Sequence, residues 1–550
     1  MISLYVTEAN RKLRSWISSR RLALLRPFTG NARRLIVAPT DLRTVDPYVA
    51  EEILAGRFPL AGRVLDVGGG SPFRVELPSM IFEERLHAFG WLRHVRADKT
   101  SESCANVRLI VDDWIELHGR RVRGLAWDLE IVAQRVVAWL SHSPIVLHDA
   151  DGGFHRRFLT SLDFQVAYLR SQVKHAPDGF VRLRIRIALA MASISMDTRA
   201  SAITRAAHAL DRELERQILP DGGHISRNPQ TAVELLFDLL PLRQTYINLG
   251  HDVPIKLIPA IDRIFPAIRF FRHQGGDLAL FNGASSTLAH DLMSVLRYDE
   301  TAGQPFKALP HSQYQRLAAG DTVIIVDGGK PLSPQLSRTA HAGCLSFELS
   351  SGRHRFIVNS GSPRFASARL QRIARETAAH STVILADRAS SRISGSPFLG
   401  PVFSNGVREV KIARSAGSDG SDRLVASHDG YVHPFGVIHE REIRMSADGK
   451  KVVGRDRILL PDGEPATGVV PQPAVARFHI HPIIALSQVD GGTIRMEAPD
   501  GDSWTFTTPV GELEITEDIF FADSSGVRPS QQIEFPFDGA EIRWFLTYHS

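Results

Sequence analysis

The 550-residue chain predicts a multidomain protein, α then β: an array of helix pairs that reads as an incomplete α/α toroid or an α-solenoid, followed by an antiparallel β-sandwich. Three observations carry this. From about residue 79 to 275, apolar residues recur at i, i+3, i+4 and i+7 in one segment after another. After residue 276 the period drops to two, in short runs broken by turn residues. With 43% hydrophobic residues the chain can bury large cores, enough for about two to four domains. The expected boundaries are 1–78 for a basic leader and glycine-rich turn, 79–275 for the helical domain and 276–550 for the sandwich.

The leader, MISLYVTEANRKLRSWISSRR, is basic, with apolar residues at helical spacing. It lacks the continuous apolar centre of a secretory signal, and no run of about 18 apolar residues follows anywhere, so no membrane span is expected. VLDVGGG (64–70) imitates the strand and glycine turn that open nucleotide-binding units. Such a unit needs a helix directly after the glycines, and Pro72 and Pro78 interrupt here. No βαβ alternation follows, so the stretch reads as a turn leading into the first helix of the array.

Helical segments then succeed one another, from FEERLHAFGWLRHV through WDLEIVAQRVVAWLSHS and TAVELLFDLLPLRQTYINLG to VPIKLIPAIDRIFPAIRFFRH, with Pro and Gly breaks between them. One connection is unusually polar: LPDGGHISRNPQT (219–231) gathers Asp221, two glycines, His224, Arg227 and Asn228. In the β half, CLSFELSS (344–351) alternates, Gly352 and Arg353 turn the chain, and HRFIVNSG returns. A Ser/Arg-rich arm (362–379) precedes a third strand, STVILAD. Laid side by side, the three strands are expected to bring His341, Asn359 and His380 together at their ends. Further on, HDGYVHPFGVIHERE (428–442) places His428 and Tyr431 about a glycine turn. His479 and His481 in FHIHP share a strand face, read as an outward polar stripe.

HAGCLSFELSSGRHRFIVNSGSP followed by TAAHSTVIL resembles the C-terminal sheet of the heparinase II/III family of polysaccharide lyases, over about 50 residues. The resemblance implies a toroid for the helical half. It also implies a divalent, zinc-like metal held by His341, His380 and, in the place of a family Asp, Asn359. The DGGH of the 219–231 loop is similar to a cleft-lining segment of the lyases, and HDGY to another. The chain departs from the family pattern at Thr339, where the catalytic histidine is expected, and at Thr231 and Ala232, where a Tyr and a His are expected.

A lyase acting next to a uronic acid must neutralise the carboxylate, remove the C5 proton and protonate the leaving oxygen. The expected assignments are Arg227, Asn228 and Arg243 on the substrate carboxylate, with His224, His428 and Tyr431 as acid/base groups. The net charge of +5 and pI near 9.3 suit an acidic polysaccharide partner and equally an ordinary basic protein. Two cysteines exclude a cysteine-rich scaffold or a Cys-based zinc site. Basic residues are not interleaved with aromatics on one element, so no nucleic-acid partner is expected, and no organic cofactor is implied. Two function classes stand: a carbon–oxygen lyase cleaving a uronate-containing, glycosaminoglycan-like glycan, which the four histidine-bearing turns favour, and a catalytically silent protein of polysaccharide binding or surface-glycan assembly, which the lost residues favour. The family implies the cell envelope or periplasm; the leader shows no clear signal peptide, so the cytoplasm stands as the alternative.

Overall fold

The structure, a computed structural model, describes residues 2–25 and 34–549, so residues 26–33 of the expected leader lie outside the described residues. The chain forms two compact units. The first comprises Met1–Ile218, Val233–Asp262 and His290–Glu300; the second comprises Leu219–Ala232, Arg263–Ala289 and Thr301–Ser550. The polar loop at 219–231 therefore belongs with the sheets, although it sits among helices in sequence.

The helices are α1 Ile2–Leu25, α2 Pro47–Leu54, α3 Met80–Ala88, α4 Ser101–Leu117, α5 Leu129–Ser141, α6 Ser143–Val146, α7 Gly152–Gln172, α8 Phe180–Ser195, α9 Ala200–Gln217, α10 Pro229–Asn248, α11 Leu257–Phe271 and α12 Ala289–Leu296, with α13 Ala368–Ile373 and α14 Val432–Phe435 inside the sheet region. Several of their starts are set by side-chain caps. Asp46 accepts from the backbone of Tyr48 and Val49 with Pro47 at the first helical position, and Asp151 accepts from Gly153 and Phe154. Helix α4 is absent from the sequence reading. Its Asp112–Asp113 pair and polar first turn mask a stripe of Cys104, Val107, Val111 and Trp114 that the structure buries. VLDVGGG forms the second strand of a small hairpin, β1 Arg57–Leu60 with β2 Arg63–Asp66, and the turn after it. Positive φ at Ala61 and Gly62 gives that hairpin its two-residue turn, and the next helix opens only at Met80. The core of the first unit is aromatic: Trp139 stacks on Phe158, and the buried Arg135 guanidinium lies 4.1 Å from the Trp114 ring centre.

The second unit carries two antiparallel sheets. In one the strand order is β11 Val410–Ala416, β12 Asp422–His428, β13 Ile438–Met445, β14 Lys451–Leu459, β21 Glu541–His549, β18 Ser503–Thr507, β17 Thr493–Glu497 and β16 Ala485–Asp490. In the other it is β19 Glu514–Asp523, β20 Gly526–Phe537, β15 Ala474–Ile480, β7 His354–Val358, β6 Phe347–Ser351, β5 Thr322–Asp327, β4 Tyr314–Ala319 and β3 Ala308–Leu309, with β8 Val383–Leu385 also paired to β15. A separate pair joins β9 Arg392–Ile393 to β10 Phe403–Asn405. The sheets share one core, in which Phe347 of β6 stacks on Trp544 of β21 with ring centres 5.5 Å apart. The expected fold class, helices and then antiparallel sheets, is what the chain adopts.

The hairpin turning at Gly352 and Arg353 is present, with Ser351 opposite His354 and Gly352 at φ +53°. The third strand differs from expectation. β8 pairs with β15 rather than with β7, because β15, which begins only at Ala474, supplies the edge that both need.

Candidate functional site

Two hydrogen-bonded networks in the second unit gather most of the candidate residues. The first is built on the 219–231 loop. Asp221 accepts from the backbone of His311 (2.8 Å) and Ser312 (2.7 Å), which ties the loop to the strand that follows. Gly222 has φ +83°, and a Cβ there would lie 1.8 Å from the Arg263 carbonyl, so only glycine fits. Arg227, in the left-handed region at φ +62°, turns its guanidinium inward. It donates to the Ser312 carbonyl (2.9 Å), forms an ion pair with Asp327 and lies over the Tyr314 ring. Asn282 donates to Asp327 (2.9 Å) and to the Tyr314 hydroxyl (2.7 Å), and that hydroxyl donates to the Arg227 carbonyl (2.6 Å). Burial works against the Arg227 charge, but the neighbouring Asp327 outweighs it and the pKa rises; burial pushes Asp327 up despite Arg227.

Asn228 caps α10: its side-chain oxygen accepts from the backbone of Gln230 (2.9 Å), with Pro229 following it. His224 is buried, and its Nδ1 accepts from the Ser226 backbone (3.1 Å). Arg243 lies on α10 within the first unit, half-buried.

The second network centres on two histidines. His341 Nδ1 and His380 Nε2 are 3.0 Å apart, with the rings nearly perpendicular. His380 Nδ1 lies 2.8 Å from the Glu376 carbonyl, which can only accept, so Nδ1 carries the proton and Nε2 is bare. His341 therefore donates from Nδ1, and its own Nε2 is left as a lone pair. Burial drives both pKa values down, that of His380 to about 3, and both rings are neutral. The His341 backbone donates to Asn282 (3.2 Å), which joins the two networks. Asn359 accepts from the Ser381 backbone (3.1 Å) and donates from its own backbone to Glu348, which faces His273 at 2.9 Å.

The expected metal set does not present three lone pairs to one point. The two imidazoles are hydrogen-bonded to each other, the Asn359 carbonyl oxygen is taken by Ser381, and its buried amide nitrogen, a donor, has no hydrogen-bond partner among the described residues. As arranged, these residues form a hydrogen-bonded network.

The remaining candidates lie in a third buried group. Tyr431 is fully buried, and its hydroxyl donates to the Val383 carbonyl (2.9 Å). Burial pushes its pKa up. His428 accepts from the Gly430 backbone (3.0 Å) and packs its ring on His439. His439 and Arg441 converge on Asp456, to which Trp544 also donates. Arg441 further donates to the carbonyls of Leu345 and Ser381, next to His380. His479, expected on an outward face, is buried and hydrogen-bonds to Asp518 (2.7 Å) because β15 is an interior strand.

Sequence reading missed Asp327, Asn282, Glu348, His273, Arg441 and Asp456. Two carried a signal: Glu348 is a charge between the inward apolar residues of LSFEL, and Asp327 closes the apolar run TVIIVDGG.

Residues 301–545 match the family model described as Heparinase II/III-like, C-terminal. The chain is 31% identical to FtsZ-localized protein C of Caulobacter vibrioides (strain NA1000 / CB15N), over 97% of this chain and 93% of that protein. Among solved structures, heparinase III superposes with a TM-score of 0.73 at 14% identity, covering 96% of this chain and 89% of that one. Heparan sulfate lyase HepC from Pedobacter heparinus gives 0.58 at 15%, covering 97% and 88%. Likeness at these identities establishes the fold.

Proposed function

Because the chain belongs to the heparinase II/III-like family, and its candidate groups are engaged with one another, we propose that it uses a polysaccharide-lyase fold for recognition. Its role in this reading is non-catalytic: it binds an acidic envelope glycan and serves surface-glycan assembly where FtsZ gathers. The observation that carries the reading is the Arg227–Asp327 ion pair. The cation expected to meet a uronate is buried and already neutralised by a carboxylate of its own unit. Tyr431 and His428 are likewise hydrogen-bonded to backbone inside a core. The place of action rests on the relative named FtsZ-localized protein C, alignable over nearly the whole chain.

The His341 Nε2 lone pair favours a second reading, β-elimination on a uronate-containing glycan with His341 as the base. Absorbance near 232 nm, where the unsaturated product of uronate elimination absorbs, separates the two when a panel of acidic polysaccharides is offered to the protein and to its His341→Ala variant. The recognition reading expects no rise on any glycan, retained binding of at least one, and a fluorescent fusion whose foci disperse when FtsZ is depleted. A rise that His341→Ala abolishes establishes the lyase and overturns the recognition reading. Foci that persist without FtsZ remove the placement.

A further inference from the structure

In the first unit, the stretch that follows the glycine turn of VLDVGGG is held in place by charge. Ser71 donates to Asp113 of α4, and Arg74 donates to the same carboxylate (2.8 Å). Ser79 then caps α3 by accepting from the Phe82 backbone (3.1 Å). This stretch, α3 and the end of α4 enclose a cavity of about 420 Å³. Phe73, Val75, Leu77 and Met80 supply its apolar lining, and Glu83 and His87 its polar end. A mostly apolar cavity of this size with a few placed polar groups is how small-molecule sites are built.

His87 is 2% exposed and held in one tautomer. The Trp114 indole N–H donates to its Nδ1 (2.9 Å), so the proton of the neutral imidazole sits on Nε2. Phe73 stacks on the ring with centres 5.3 Å apart, and His118 packs edge-on at 4.7 Å. Burial lowers the pKa of both imidazoles, that of His87 to about 3, and the Arg135 cation adds to the effect. His87 therefore offers the cavity one neutral donor. Glu83, one turn earlier on the same helix face, holds its carboxylate 3.8 Å from that Nε2, beyond hydrogen-bond reach.

The gap specifies a ligand. An oxygen set between the two groups can lie about 2.8 Å from each, accepting from Nε2–H and donating to the carboxylate. A hydroxyl does both. An anion would meet Glu83, and a cation would meet the His87 N–H, so the ligand is uncharged. The Phe73 ring and the Met80 thioether suit an aromatic body. We propose that this cavity binds an uncharged phenol or aromatic alcohol, its ring among Phe73, Leu77 and Met80 and its hydroxyl bridging His87 Nε2 and Glu83. This inference stands apart from the glycan and FtsZ reading, because such a ligand is neither an acidic glycan nor a protein.

The test is titration of the full chain into the fluorescent probe β-naphthol, read by anisotropy, beside the methyl ether of the probe and the naphthoate anion. The ether keeps the rings and loses the donated hydrogen; the naphthoate brings a negative charge. Naphthol is expected to bind about tenfold or more tighter than either. Glu83→Leu should lower naphthol affinity about tenfold, to the level of the ether, and leave the ether unchanged or tighter. Met80→Asp should weaken both. Met80 is 64% exposed and the Glu83 side chain 37%, so both variants should melt with the wild type. Absence of naphthol binding up to its solubility limit overturns the proposal. Equal affinity for naphthol and its ether overturns it as well, since the hydroxyl would then bridge nothing. Naphthol binding that neither variant changes also overturns it, by placing the probe elsewhere on the chain.

Discussion

Asp327 and Arg227 are each less than a twentieth exposed, so neither charge has water to fall back on. Removing the carboxylate in Asp327→Ala leaves a buried guanidinium unpaired. The expected loss is about 3–5 kcal/mol in urea unfolding, with much of it recovered when Arg227→Met is added. A single-variant loss under about 0.5 kcal/mol would mean that the pair is not carrying the loop. The histidines make a pH prediction. Below about pH 6.5 the unfolded chain binds protons that folded His380 refuses until about pH 3. Stability is therefore full above 6.5 and falls as pH drops between those values, by about 1.4 kcal/mol per pH unit for each such histidine. His341 acts in the same direction, and His380→Asn should flatten the slope between pH 6 and 4. The His341–His380 bond also predicts that dialysis against a chelator leaves Tm unchanged. A fall of several degrees on metal removal would show an ion bridging the two rings. Residue identity in the sequence pointed to His341, His380, His224 and Arg227, but not to their partners. Burial and pairing across dozens of residues leave little local trace, and Asp327 at the end of a fully buried strand is visible only once Arg227 is opposite it.

At the scale of elements, Gly454 on β14 lies opposite Trp544 on β21, and a Cβ there would meet the indole at 2.0 Å. The missing side chain is the space in which Trp544 lies, stacked on Phe347 and donating to Asp456. Gly454→Val is expected to lower the denaturation midpoint by about 1–3 kcal/mol and to alter the near-ultraviolet circular dichroism of the tryptophans. An unchanged near-ultraviolet spectrum would show the ring finding room elsewhere. Most elements were legible because their patterns are local: the 3.6 period of the helices, the alternation of LSFEL, the glycine turn at 352. The exceptions share a cause. Helix α4 opens on a polar turn that hides its stripe, and β8 joins a strand that no local rule could nominate. His479 looked outward because β15 alternates, but both faces of an interior strand between packed layers are covered.

At the scale of the whole molecule, the order helices-then-sheets could be read from periodicity, and the family from one stretch of about 50 residues. What the molecule does could not be read that way, since a fold at 14% identity to heparinase III constrains architecture and leaves chemistry open. Restoring the family pattern is itself a measurement. Thr339→His with Asn359→Asp is expected to give no rise at 232 nm, because Arg227 stays paired with Asp327 and is closed to a uronate. Product from that variant would mean that the positive group is supplied by another residue. The same ion pair shapes which sequences lie within mutational reach. Any one change that frees Arg227 first strips a buried charge of its partner, so the intermediate folds poorly before it gains a binding group. Natural variation at positions 227 and 327 is therefore expected to move in pairs, and a lineage that has closed this lock does not readily reopen it one substitution at a time.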